Sequence, residues 1–482
     1  MKVLTDEQID ALRSIVLTTT HANSAEVWAL LERIKLEGNR PNSIIALLES
    51  LRQAGLTPNF MQNGGQSRIF SFDRLFWEPF DGLVQSGELR SLVPGSLPRL
   101  GLAQAWTVVS TELASDAFAE FDPLIRAASL KNNLKEARKI ASKYREAVLE
   151  LITDIADVRL AYLGETEDSS FILGRLRPLL FADKLSRELW TGAQSRYGDM
   201  HERSIDHLAK CARDQEAKDP KIAVELLLLT MSTLEKPHHI LRVLLKLTPA
   251  ATDTKLDITQ YAIIGRRLLG LIRQQSFFIK AASQNGTFSV QQITRTIDRF
   301  NQLAHGLSRS GVLESTGPWQ RELTDLYAVT GETLGSICEL AVESLERALP
   351  RELVRKARVG NLVLPRVTAM ISPEKVQIAR CHLEFVTATR LLAPLAGFSG
   401  LRDRAHETCA DYLDFTTEAL AQLTAEGDDA AYLEDWVWAT TLMIAALDGS
   451  KPASNFERRI TAAKLKLAKS ASTPISRDVG NL

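Results

Sequence analysis

From Leu134 to Val158, apolar side chains recur without a break at alternating spacings of three and four: Leu134, Ala137, Ala141, Tyr144, Val148, Leu151, Ile155 and Val158. That rhythm fits one stripe of an α-helix and not the period of two that a strand imposes. At 1.5 Å per residue it predicts a single coiled-coil-like seam about 36 Å long. Val290, Ile293, Ile297, Phe300, Ala304 and Leu307 repeat the pattern, and Trp319, Leu323, Leu326 and Thr330 resume it after turn-rich residues 308–318. Two such stripes joined by a turn predict antiparallel helices lying side by side.

The same reading predicts helices near 5–18, 24–36, 43–54, 72–85, 99–113, 180–214, 219–232, 238–247, 256–283, 373–393, 400–424, 429–447 and 454–469. Only 26 Gly and 17 Pro punctuate the 482 residues, too few for a fold built on many tight turns. The expected class is all-α, a multi-helix bundle of mostly antiparallel helices with at most a small β-hairpin near residues 57–70. Turn-rich residues 86–98 and 359–372 divide it into an N-terminal helical module at 1–90, a central bundle at 98–358 and a C-terminal helical group at 370–482.

Lys and Arg number 58 against 59 Asp and Glu, a net charge of −1, so no global field draws the chain to nucleic acid or anionic lipid. The start turns acidic within six residues and has no apolar core of a secretory signal. Residues 436–447, the longest charge-free apolar run near the end, fall short of the ~20 that a membrane crossing takes. Four cysteines, Cys211, Cys338, Cys381 and Cys409, form no CxxC pair and read as free thiols in a reducing compartment. The expected location is the cytoplasm.

Three predicted helices precede Asn63-Gly64, a hairpin signal. Helix, helix, helix, hairpin resembles a winged helix in its order of elements, over residues 1–70, and implies nucleic-acid contact through residues 24–70. The segment that would end the recognition helix, residues 43–56, carries one basic residue, Arg52, where phosphate neutralisation normally takes several. Just downstream, Phe60, Phe70, Phe72, Phe76, Trp77 and Phe80 crowd six aromatics into 21 residues. Such a cluster either anchors a partner, with Phe76, Trp77 and Phe80 as contacts, or forms a core.

Histidines sit near three of the four cysteines, as His207 with Cys211, Cys381 with His382 and His406 with Cys409. Imidazole and thiolate at helical spacing suit zinc, but a hairpin of helices 373–393 and 400–424 offsets Cys381 from Cys409, so no metal or cofactor is expected. Glu235-x-x-His238 is broken by Pro237, Asp403-x-x-His406 uses the shorter acid, and Asp154-x-x-Asp157, Asp411-x-x-Asp414 and Asp428-Asp429 fall short of a DDxxD motif. GxGxxG, P-loop, HExxH and GxSxG motifs are absent from the sequence.

Residues 403–448 carry eleven acidic side chains and one basic, whereas 451–482 carry seven basic and two acidic. Phe456, Ile460, Ala463 and Leu467 line one side of the last helix, leaving Arg458, Arg459, Lys464 and Lys466 to pair with the acidic helices before it or to meet an acidic partner or surface. Arg266, Arg267 and Arg273 pose the same choice. The expected function is that of a scaffold, adaptor or assembly factor with no catalytic residue of its own, binding protein partners and compatible with a homo-oligomer. The alternatives are a transcription regulator with the winged-helix-like module, or a metal-dependent helical enzyme using His207 and Cys211 or the carboxylates around Asp411.

Overall fold

The computed structural model describes Leu12, Leu31, Ile44, Leu47 and residues 71–87, 89–190, 200–248, 250–284, 288–356, 360–426 and 431–472. Leu12, Leu31, Ile44 and Leu47 are helical and buried, inside the three helices expected there. The hairpin expected near 57–70, Arg52 and the rest of the winged-helix pattern lie outside the described residues. The fold is all-α, with eighteen α-helices and two small two-stranded sheets among the described residues. The chain falls into two compact units, residues 1–195 with 211–233 and residues 196–210 with 234–482.

In the first unit, α1 (Phe72–Trp77) leads to the short strand β1 (Val84–Gln85), which pairs in parallel with β2 (Leu97–Pro98). Next come α2 (Leu102–Val108), which runs on as a π turn at Val109–Leu113, then α3 (Ser115–Leu130), α4 (Leu134–Ile152), α5 (Asp157–Tyr162) and α6 (Glu167–Leu189). The division between the units falls within α7 (Glu202–Glu216), after which α8 (Pro220–Thr233) completes the first unit.

The seam expected from 134 to 158 is not continuous. Asn133 caps α4 by accepting a hydrogen bond from the Glu136 amide, and the helix stops at Ile152. Its buried face is Ala137, Ala141, Tyr144, Val148 and Ile152, whereas Leu151 is 53% and Val158 64% exposed. A straight helix turns every 3.6 residues, so a stripe held at 3.5 drifts off the buried face within a few turns. At the break, Thr153 Oγ1 bonds back to the Leu149 carbonyl and Ala156 is extended, and α5 starts afresh against α6.

Charged side chains bind the helices of this unit together. Arg145 on α4 meets Asp183 on α6 at 2.9 Å with both side chains buried, and donates to the Leu75 carbonyl at 3.0 Å. Arg175 on α6 holds Glu225 on α8 through two hydrogen bonds while donating to the Gly95 and Ser96 carbonyls. Arg177 bridges Asp157 and Asp219, and Lys221 closes on Asp157 at 2.6 Å.

Burial works against the Asp157 carboxylate, but hydrogen bonds from Arg177 and Lys221 outweigh it and hold this group below the ordinary aspartate range. A depressed folded-state pKa stabilises the fold above the unfolded value, about 3.9, and that contribution disappears as pH falls through the folded value. Asp157→Asn is therefore expected to lower the urea midpoint at neutral pH, with the gap from the parent chain closing as both are titrated below the ordinary aspartate range. A gap of constant size across that range would refute the assignment.

In the second unit, α9 (Ile240–Leu247), α10 (Asp253–Leu256), α11 (Ala262–Ser283), α12 (Val290–Ser308) and α13 (Pro318–Ala348) form the first group. The stripes at 290–307 and 319–330 are buried as expected, apart from the half-buried Val290. Their helices do not mainly face each other. Both α12 and α13 pack along α11, touching one another where Phe300 meets Tyr327 edge to face at 5.4 Å. On the α13 side a small residue permits the approach: a Cβ at Gly265 of α11 would collide with the Trp319 ring, so glycine lets that ring lie on the helix.

The start of α13 depends on a residue far away in sequence. Its N-cap, Gly317, has no side chain to accept the free amides. Asp253, fully buried, does so instead: its carboxylate accepts from the amides of Trp319 at 3.1 Å, Gln320 at 3.2 Å, Glu314 at 3.1 Å and Thr254 at 3.0 Å.

A hairpin of β3 (Arg351–Lys356) and β4 (Gly360–Pro365) follows, with Leu353 opposite Val363. Its second strand falls within the turn-rich residues 359–372. Then come α14 (Pro373–Ala388), α15 (Ala393–Ala396), α16 (Ser399–Glu426), α17 (Leu433–Asp448) and α18 (Ser450–Ser472). Arg351 anchors the hairpin on α16, its guanidinium 3.3 Å from the centre of the Tyr412 ring and bonded to the Tyr412 carbonyl. α13 packs on α14 and α16, and α18 lies along both α16 and α17.

Candidate functional site

The aromatic cluster is a core. Phe76, Trp77 and Phe80 are 0%, 4% and 0% exposed, so the reading of these three as partner contacts is corrected. Phe76 lies 5.2 Å from Trp106 and 4.8 Å from Trp77, which in turn meets Phe80 at 6.1 Å. Phe72 and Tyr144 join them at 4.8 Å. α1 is too short to keep a solvent face: four of its six residues are buried.

The histidine and cysteine neighbours do not converge. His207 is exposed while Cys211 is half-buried, its thiol raised by burial. Cys381 donates to the Phe288 carbonyl at 3.1 Å, and His382 Nδ1 lies 3.0 Å from Ser344 Oγ inside the core. Burial lowers the His382 pKa, favouring the neutral ring. His406 faces Asp448 at 3.6 Å, whereas Cys409 points inward, and burial pushes both Cys409 and Cys338 up to about 12. Among the described residues, no three His, Cys, Asp or Glu side chains form a set able to hold a metal ion.

The basic stretch on α11 is used within its own unit. Arg266 pairs with Asp257 and Arg273 with Glu322, and Arg267 is 2% exposed.

The C-terminal helices are different. α18 commits Ala453, Phe456, Ile460 and Ala463 to the core. Lys464 reaches Glu434 of α17 at 2.9 Å, a pair exposed enough to contribute little. Arg458, Arg459 and Lys466 remain exposed, with Leu465 beside them at 58% exposure. Ser454, Glu457, Arg458, Thr461, Ala462 and Leu465, spaced by three, one, three, one and three, share one exposed face of the helix. On α16, Asp403, Glu407, Asp411, Asp414 and Glu418 are all exposed. Their spacings of four, four, three and four place them on one helical face. They form a ridge opposite the buried Ala405, Cys409, Tyr412, Leu413 and Thr416.

Sequence reasoning counted these charges without placing them on one ridge, although the spacing was there to read. It did not single out Asp253 or Arg351, whose partners lie about sixty residues away. The fold and its surface define an all-α multi-helix protein with charged helical faces and no helix long and apolar enough to cross a membrane among the described residues. Compared with protein-family models, curated proteins and solved structures, the chain matches none.

Proposed function

We propose that the chain acts in the cytoplasm by binding another protein, as a scaffold, adaptor or assembly factor without a catalytic site of its own, and that the outer face of α18 makes the contact. The observation that carries this reading is the division of labour on α18: one face packs in the core while Arg458, Arg459, Leu465 and Lys466 stand in solvent. A basic face around an apolar side chain suits an acidic protein surface, with the charges steering the encounter and the leucine adding buried area.

Removing the helix is not a clean test, because Phe456 and Ile460 are core residues. Charge reversal by Arg458→Glu, Arg459→Glu and Lys466→Glu leaves that core intact. Affinity capture from the native cell is expected to lose its partner at least tenfold with this variant while the melting temperature is unchanged. A partner retained by the well-folded variant would sink the assignment to α18.

A further inference from the structure

We infer that the partner of this face is a second copy of the chain, which sets the α16 ridge against α18 and α18 against the α16 ridge. The inference rests on the interaction reading above and names its occupant. Charge complementarity carries it. The ridge from Asp403 to Glu418 and the exposed cations from Lys451 to Lys466 cover equal lengths of helix, about 22 Å each at the helical rise.

The two helices are neighbours, since α18 packs along α16. We take the outer faces of these neighbouring helices as one surface, an acidic half beside a basic half. A two-fold axis running between them places each half on its opposite in the other copy, as an isologous interface requires. Within the chain the two halves do not neutralise each other. Among the described residues, Arg458, Arg459 and Lys466 make no ion pair, nor do Glu407, Asp411, Asp414 and Glu418, while Asp403 pairs with Arg402 of its own helix. Leu465, 58% exposed, supplies the apolar part. Exposed ion pairs are individually weak and screened by salt, so the dimer should be salt-sensitive.

The test is sedimentation velocity on the purified full chain. A monomer–dimer equilibrium is expected at low salt, weakened at least tenfold between about 0.05 M and about 0.5 M NaCl. An all-acidic variant (Arg458→Glu, Arg459→Glu, Lys466→Glu) and an all-basic variant (Glu407→Lys, Asp411→Lys, Glu418→Lys) should each be monomeric, because like charges then face each other at both contacts. Mixed in equal amounts they should form a heterodimer, since both contacts regain opposite charges. A parent chain that stays monomeric, or a dimer indifferent to both sets of substitutions, overturns the inference. If the parent is monomeric yet the acidic variant still loses a cellular partner, the second-copy inference fails and the broader interaction reading stands.

Discussion

Replacing Asp253 with alanine is expected to cost the second unit about 3–5 kcal/mol, because it strips a buried charged acceptor from four amides at once. The amides of Trp319 and Gln320 open a 31-residue helix and have no other side chain to accept them. Hydrogen exchange localises the effect: these two amides should lose protection before the rest of α13. Gly317→Ala should be destabilising for the same reason seen from the other side, since a Cβ there would fall on both Asp253 carboxylate oxygens. The two substitutions share one space. In the Asp253→Ala background the extra methyl has room, so the double variant should fall short of the sum of the singles by at least about 1 kcal/mol. Additive losses would show that the carboxylate and the glycine act separately.

The second large effect belongs to the first unit. Arg145→Ala or Asp183→Ala should each cost about 3–5 kcal/mol, since either leaves a buried charge without its main partner. Arg187 approaches Asp183 at 3.3 Å and softens the first loss. Arg145→Met with Asp183→Leu removes both charges and fills much of the same volume, so it should recover most of the loss. Recovery should stop short of complete, because the Leu75 and Phe76 carbonyls lose the donor they share. Urea unfolding followed on the first unit decides the matter. A double variant as unstable as the singles would mean that packing, not the uncompensated charge, sets the cost.

What could be read from the sequence was periodic and local. The stripes on α12 and α13 were legible because each apolar position is a neighbour of the next on one helix face, and burial follows that face. The close approach of α13 to α11 was not legible, because it depends on Gly265, a residue on another helix. The same limit applies to Asp253, whose role is defined by amides sixty and more positions later. The aromatic cluster shows a different limit: core and docking surface have one composition, and only the enclosure of Phe76 and Phe80 separates them. On α18 the apolar line was legible as far as Ala463, while the outward turn of Arg458 and Leu465 takes meaning only once α16 and α17 cover the other side.

The placement of α8 has a consequence for how the protein is made. The first unit is not finished when residue 195 leaves the ribosome, because residues 211–233 belong to it and residues 196–210 to the other unit. At about 5–20 residues per second, the missing helix arrives roughly 2–8 s later. Until then Arg175 lacks the Glu225 carboxylate, and the surface that will receive Ile222, Leu226 and Leu229 is open to water. The nascent chain thus passes through a stage with a defined sticky face, the kind of species that a ribosome-associated chaperone shields.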